Sequence, residues 1–256
     1  MSAERPLLPV TLSEEDGVRY LHLGTPWIQG AMRVGQPQRI ELEYVQRMLA
    51  ALLWLPTAEL GRGQAVQLGM GAAALTRFTV KALRMPTVVV ELHPGVIDAC
   101  RMWFQLPVGS ERLQVVRGDA GQWLAQAEPG SVQLLQVDLY DEEAAAPALD
   151  DEAFYRACRA VLADGGLMSV NLFGRHASLG RSLARIAAAF GADQVWRLRA
   201  TREGNTVVVA GRGVAVPDRD ELQARAEVIE ARFGTLGLPA RKWLRMVRPY
   251  VPDEAA

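Results

Sequence analysis

The sequence predicts an α/β fold built on a mostly parallel sheet, and three observations carry that prediction. From Gln64 onward, short apolar runs alternate with amphipathic stretches, the pattern of parallel strands joined by crossover helices. Near the end, two strand-like runs stand too close together for a helical crossover, so the sheet should finish in an antiparallel hairpin. Half of the 256 residues are hydrophobic, enough for one large core without disulfide or metal staples.

Residues 17–34 read as two short strands around the Gly24–Pro26 turn. Residues 39–54 read as a helix with Ile40, Tyr44, Met48 and Leu52 on one face. Gln64–Leu68 is a strand that runs into glycines, and Leu75–Leu83 is helical. Thr87–Val90 is a β-branched strand, followed by a helix from about Pro94, a residue suited to a first helical turn. Leu113–Val116, Val132–Val137 and Leu167–Leu172 are further strands, with helices near 120–127, 151–162 and 178–190. Gln194–Arg199 and Thr206–Ala210 form the closing hairpin. The result is a Rossmann-like, seven-stranded mixed sheet in the class I methyltransferase arrangement, with a small N-terminal hairpin-and-helix appendage. After Pro217 comes an amphipathic helix with Leu222, Ala226, Ile229 and Phe233 on one face. The basic tail around Arg241, Lys242, Arg245 and Arg248, interleaved with Trp243 and Tyr250, reads as a packed helix with a solvated face.

Composition excludes several classes. Lys plus Arg is 28 against 29 Asp plus Glu, so bulk charge gives no reason to expect a nucleic-acid partner. Cys100 and Cys158, and His22, His93 and His176, are scattered, so no metal site is expected and both cysteines read as buried structural thiols. The first 17 residues lack a basic start before an apolar core, and no apolar run nears the ~20 residues of a spanning helix. A cytoplasmic protein without membrane contact is the expectation.

Candidate ligand residues gather at strand ends. Leu68-Gly69-Met70-Gly71-Ala72-Ala73-Ala74 leaves a strand for a helix, where glycine permits a tight turn and a helix start presents free N–H groups. Glu91 closes the second parallel strand, where an acid can accept from both ribose hydroxyls of a nucleoside. Asp119, followed by Ala120, comes after the third strand, where a carboxylate can accept from an adenine amino group. Together they suggest an adenosyl ligand, S-adenosylmethionine or its decarboxylated form. Seven acids and no Lys or Arg lie between Asp138 and Glu152. Most read as a solvated loop and helix cap, but Asp138 and Asp141 sit where the transferred group would lie and could hold a cationic amine. Domain boundaries follow: 1–60 for the appendage, 61–216 for the adenosyl-binding unit and 217–256 for a helical tail.

From about residue 17 to 211 the sequence resembles the spermidine synthase family of aminopropyltransferases. The resemblance rests on Val89-Val90-Glu91-Leu92-His93-Pro94 with Val96-Ile97, on Arg112 through Ala120, and on Asp138-Leu139-Tyr140-Asp141. Pro147, Leu149, Phe154-Tyr155, Cys158-Arg159, Ile28-Gln29 and Tyr44 add to it. It implies transfer of an aminopropyl group from decarboxylated S-adenosylmethionine to a diamine such as putrescine. It also implies that Asp138 is the catalytic aspartate, that Asp141 grips the diamine, and that Gln29 and Tyr44 face the substrate. Gly69, Gly71, Glu91, Asp119 and Ala120 would then hold the adenosyl part. Three positions depart from the family pattern. Ala72 stands for an aspartate that holds the donor's amino end, Tyr44-Val45-Gln46 loses an acid, and Ala200–Asn205 replaces a segment that contributes a tyrosine to the diamine pocket. The residues themselves leave open a methyltransferase, a non-catalytic adenosyl-binding homo-oligomer, or a dehydrogenase. A homodimer is expected through the appendage, where Leu21, Leu23, Trp27 and Ile28 offer more apolar surface than one helix covers.

Overall fold

The computed structural model describes residues 8–139, 149–173 and 176–252. An antiparallel three-stranded sheet comes first: β1 (Val10–Glu15), β2 (Val18–Leu23) and β3 (Gly30–Arg33). Its first hairpin turns on Asp16 and Gly17, at φ 50° and 72°, the left-handed pair that suits a two-residue turn. The sequence reading has only β2 and β3. β1 is exposed along nearly its whole length, so no apolar alternation marks it.

The helix expected over 39–54 is shorter. α1 (Glu43–Met48) passes into a 3₁₀ turn over Leu49–Trp54, whose six residues are all buried. A segment buried on every side has no single face for helical spacing to reveal. Similarly, α2 (Ala74–Arg77) widens into a π turn at Phe78–Ala82, with Leu83 N–H bonded back to the Phe78 carbonyl.

The main sheet contains β4 (Gln64–Leu68), β5 (Thr87–Glu91), β6 (Leu113–Arg117), β7 (Val132–Val137), β8 (Leu162–Phe173), β9 (Val195–Leu198), β10 (Asn205–Gly211) and β11 (Val247–Pro249). Their order is β11-β9-β10-β8-β7-β4-β5-β6. The strands from β6 to β8 are parallel, and β10, β9 and β11 run antiparallel to their neighbours. This is the class I methyltransferase arrangement with an eighth strand at the edge. That strand corrects the reading of the tail as a helix: α8 (Ala240–Trp243) ends after four residues and the chain then pairs with β9. Pro249 suits an edge, where its missing N–H leaves no ladder bond unmade.

Successive residues of the parallel strands serve opposite cores. Ala65, Leu134, Leu167 and Val207 face one, with the 3₁₀ turn, α7 (Arg219–Phe233) and α8. Val66, Leu135, Met168 and Val208 face the other, under α4 (Ala120–Gln126), α5 (Glu152–Val161) and α6 (His176–Phe190). Trp54 stacks on Trp196 in the first core at 4.8 Å between centroids, and Trp243 is buried there. α7 opens with a full capping box between Asp218 and Glu221, a device worth about 1 kcal/mol. Among the described residues, no helix is long and apolar enough to cross a membrane.

A third cluster joins the appendage to the sheet. Leu21 and Met32 pack with Met70, Val89, and the Val96, Ile97 and Cys100 side of α3 (Pro94–Trp103). Leu21 is therefore core, and only Trp27 and Ile28 of the expected pairing surface are strongly exposed. Gly30 permits the approach, since a Cβ there would lie 2.4 Å from the Ala72 nitrogen. Burial pushes both cysteine thiols up, and Cys100 donates to the Gly71 carbonyl.

Candidate active site

β4 pairs with β5 on one side and β7 on the other, so the chain leaves it in opposite directions across the sheet. Crevices form at such a switch point, outside the carboxyl ends of the strands. Here the crevice is a cleft of about 760 Å³, lined in part by Gln29 of the appendage and Tyr44 of α1. Gly69 and Gly71 after β4, Glu91 at the end of β5, Asp119 and Ala120 after β6, and Asp138 after β7 all line it. The structure thus gathers every described site residue anticipated from sequence. Asp141, with Tyr140 and Pro147, lies outside the described residues.

Asp138 sits at the cleft floor and is doubly held. Tyr44 donates its hydroxyl to Oδ2 at 3.2 Å, and Asn171 donates its amide to Oδ1 at 2.9 Å. Asn171 in turn accepts from the Asn205 amide at 3.2 Å, and the Asn205 backbone N–H donates to Thr201 Oγ1. Burial pushes the Asp138 pKa above the usual carboxylate range, and the bonds from Asn171 and Tyr44 oppose that shift. The Tyr44 hydroxyl is pushed well up by its own burial and by the neighbouring carboxylate, so it remains a donor. Each Asp138 oxygen keeps a lone pair for a further donor. The group can therefore accept a proton or an ammonium hydrogen bond from the cleft.

Sequence reasoning missed Asn171 and Asn205. The available signal is an asparagine inside an otherwise apolar strand, since a buried amide needs partners and rarely sits in a core strand without them.

Glu91 is shaped by backbone contacts. Its Oε2 accepts from Met70 N–H at 2.9 Å and its Oε1 from His93 N–H at 2.8 Å. Burial raises its pKa and those two bonds pull the other way. They tie the carboxylate to the turn after β4 and to its own turn while it lines the cleft. Asp119 caps α4 through Gln122 N–H at 2.8 Å while also lining the cleft. The cap fixes the carboxylate's direction.

The glycines have a more structural role than close approach to a ligand. Gly69 has φ 89°, and a Cβ there would lie 2.2 Å from the Asp138 carbonyl. Gly71 has φ 50° and faces the Gln29 carbonyl. These positions let β4, β7 and the appendage meet tightly beneath the cleft.

Comparison with known proteins then decides the relationship. Residues 73–176 match the spermine/spermidine synthase domain. A polyamine aminopropyltransferase of Chromobacterium violaceum is 30% identical over 227 residues, covering 88% of this chain and 85% of that one. The chain belongs to the spermidine synthase family. Among solved structures, a probable spermidine synthase from Corynebacterium glutamicum shares the fold at TM-score 0.72 and 20% identity, over 92% of this chain and 90% of that one. Human methyltransferase-like protein 13, in complex with SAH, shares it at TM-score 0.67 and 19% identity, over 84% and 98%.

Within the spermidine synthase family, the departures take physical form. Ala72 is buried against Gly30 and absent from the cleft wall, so no carboxylate projects from that turn. Among the described residues the wall still carries six carboxylates, on Glu41, Glu43, Glu91, Asp119, Asp138 and Glu203. Among the described residues it carries no Lys, Arg or His.

Proposed function

We propose that this spermidine synthase family member transfers the aminopropyl group of decarboxylated S-adenosylmethionine to a linear diamine such as putrescine. The observation that carries the reading is a cleft wall that, among the described residues, carries acids and no cations. The donor is a sulfonium and both ends of the acceptor are ammonium in water, so every charge to be bound is positive. Intact S-adenosylmethionine would add a carboxylate facing those acids, and a repelled charge is an effective way to reject a near-identical ligand. That argument favours aminopropyl over methyl transfer.

Transfer proceeds by displacement. The acceptor first loses a proton, and its nitrogen lone pair attacks the propyl carbon bonded to sulfur. The C–S bond breaks and sulfur keeps the electron pair, leaving neutral 5′-methylthioadenosine. In this reading Asp138 accepts the proton, directly or through one water, and aims the nitrogen. Alignment supplies much of the rate, because the sulfonium is already a good leaving group. Tyr44 and Asn171 hold the carboxylate, and Gln29 and Asp141 are assigned to the acceptor side. Glu91 is assigned to the ribose hydroxyls, Asp119 to the adenine amino group, and Gly69, Gly71 and Ala120 to packing against the adenosine. The reading includes a homodimer paired through the appendage, whose outer strand β1 is exposed; light scattering that shows a monomer at high concentration would overturn that part.

Calorimetric titration with each donor alone tests the central claim. The decarboxylated form should bind at least about tenfold more tightly than the intact form, roughly 1.4 kcal/mol. Equal or tighter binding of the intact form would favour methyl transfer instead.

A further inference from the structure

Resting on that reading, we infer that Glu203 is a specificity-determining residue that takes the far ammonium of the diamine while Asp138 acts at the near amine. Each of the other five described carboxylates of the wall already has at least one protein partner. Glu41 is gripped by Arg33 through two bonds of 3.0 Å, and Glu43 pairs with Arg47 at 2.6 Å. Glu91 holds two backbone N–H groups, Asp119 caps α4, and Asp138 is held by Tyr44 and Asn171. Glu203 lines the cleft, is exposed, and has neither hydrogen bond nor ion pair among the described residues. Among the described residues of the wall, it is the carboxylate that no protein donor holds, so its whole charge is open to a ligand cation.

Its position is fixed rather than incidental. Glu203 sits in the turn between β9 and β10, the segment that departs from the family pattern. Thr201 N–H bonds to the Asn205 carbonyl at 2.8 Å, Gly204 N–H to the Thr201 carbonyl at 3.2 Å, and Asn205 N–H to Thr201 Oγ1 at 3.2 Å. Thr201 itself is buried. The Asn205 amide then bonds to Asn171, which bonds to Asp138. A continuous hydrogen-bonded path therefore ties the turn that bears Glu203 to Asp138. Two carboxylates on one cleft, one carried by that turn and one by the end of β7, discriminate by length and by the presence of a second charge. A monoamine would leave Glu203 unmatched, whereas a diamine of matching length satisfies both.

The experiment uses the full chain with decarboxylated S-adenosylmethionine, comparing putrescine with n-butylamine, which has the same length and one amine. Glu203→Gln should raise the putrescine KM by about tenfold, while kcat, the donor KM and the n-butylamine KM stay within twofold. Glu203→Asp should recover part of the putrescine preference. Unchanged discrimination in Glu203→Gln, with wild-type turnover intact, overturns the inference and leaves the proposed function standing. Titration of putrescine into protein saturated with 5′-methylthioadenosine gives a readout free of turnover. Binding that weakens in Glu203→Gln supports the inference even if no amine is turned over, in which case the functional reading fails alone. Wild-type protein that binds no putrescine overturns the inference.

Discussion

Replacing Asp138 by Asn should lower kcat by about 10²- to 10⁴-fold, the usual contribution of a general base, while binding of 5′-methylthioadenosine changes by less than about threefold. The substitution keeps the shape and the Asn171 contact but removes the proton acceptor. It should not unfold the protein. Burial raises the folded pKa of Asp138 above its unfolded value, so the folded state binds more protons than the unfolded state between those two values. Stability from this group is therefore lost as pH rises through that window, and a neutral amide escapes the cost. The thermal midpoint of Asp138→Asn at pH 7 should equal or exceed that of the wild type.

In the proposed mechanism Asp138 also sets the acid side of the rate profile. Its carboxylate must be ionised, so kcat/KM should fall as pH drops through the raised Asp138 pKa. Asn171→Ala removes a bond that favours the ionised form and should move this fall to higher pH, with about a tenfold loss at neutrality. An Asp138→Asn variant with wild-type kcat would remove the residue from the chemistry.

Much of the architecture was legible because parallel strands buried on both faces read as short apolar runs. Val66 serves one core and Ala65 the other, so Gln64–Leu68 looks continuous in sequence. Glu91, Asp119 and Asp138 were legible for a related reason: a charged residue at the end of such a run must lie at the sheet's rim. Elements that carry no apolar signature were not. β1 reads Val-Thr-Leu-Ser-Glu-Glu and is mostly solvated, although the Asp16-Gly17 pair behind it is a strong hairpin signal. β11 has three residues and gains its order from pairing with β9. An asparagine in an apolar strand signals that Asn171 and Asn205 need partners, but which partners they take, Asp138 and each other, is set by pairing across the sheet that local sequence does not report. Arg77 was passed over for the opposite reason, because it stands inside a helical, largely apolar stretch where a charge suggests a solvent-facing side.

Arg77→Met should destabilise the fold by about 3–5 kcal/mol, a large part of the roughly 5–15 kcal/mol available to a domain. Arg77 is 1% exposed, and its guanidinium serves three segments at once. Nε donates to the Pro37 carbonyl at 2.8 Å, and Nη1 donates to the Ala72 carbonyl at 2.7 Å and to the Phe104 carbonyl at 2.6 Å. Those acceptors belong to the link between β3 and α1, the turn after β4 and the end of α3. Methionine matches the volume but leaves three carbonyls to find other donors, and unmet buried groups cost about 1–3 kcal/mol each. Removing a buried charge returns part of this, which is why the expected loss is below the sum. Burial pulls the Arg77 pKa down to about 10, so the group stays charged at pH 7. The native state binds fewer protons than the unfolded state only between that value and the higher unfolded one, and stability from this group rises with pH only there. Urea unfolding of the two proteins should therefore differ by the same amount at pH 6 and pH 8, with unchanged slope. A difference under about 1 kcal/mol would mean that the appendage is held to the sheet by the Leu21–Met32–Ile97 packing alone. The predicted loss instead makes this buried guanidinium a clamp that ties the link after β3 to the turn after β4 and the end of α3, beside the cleft.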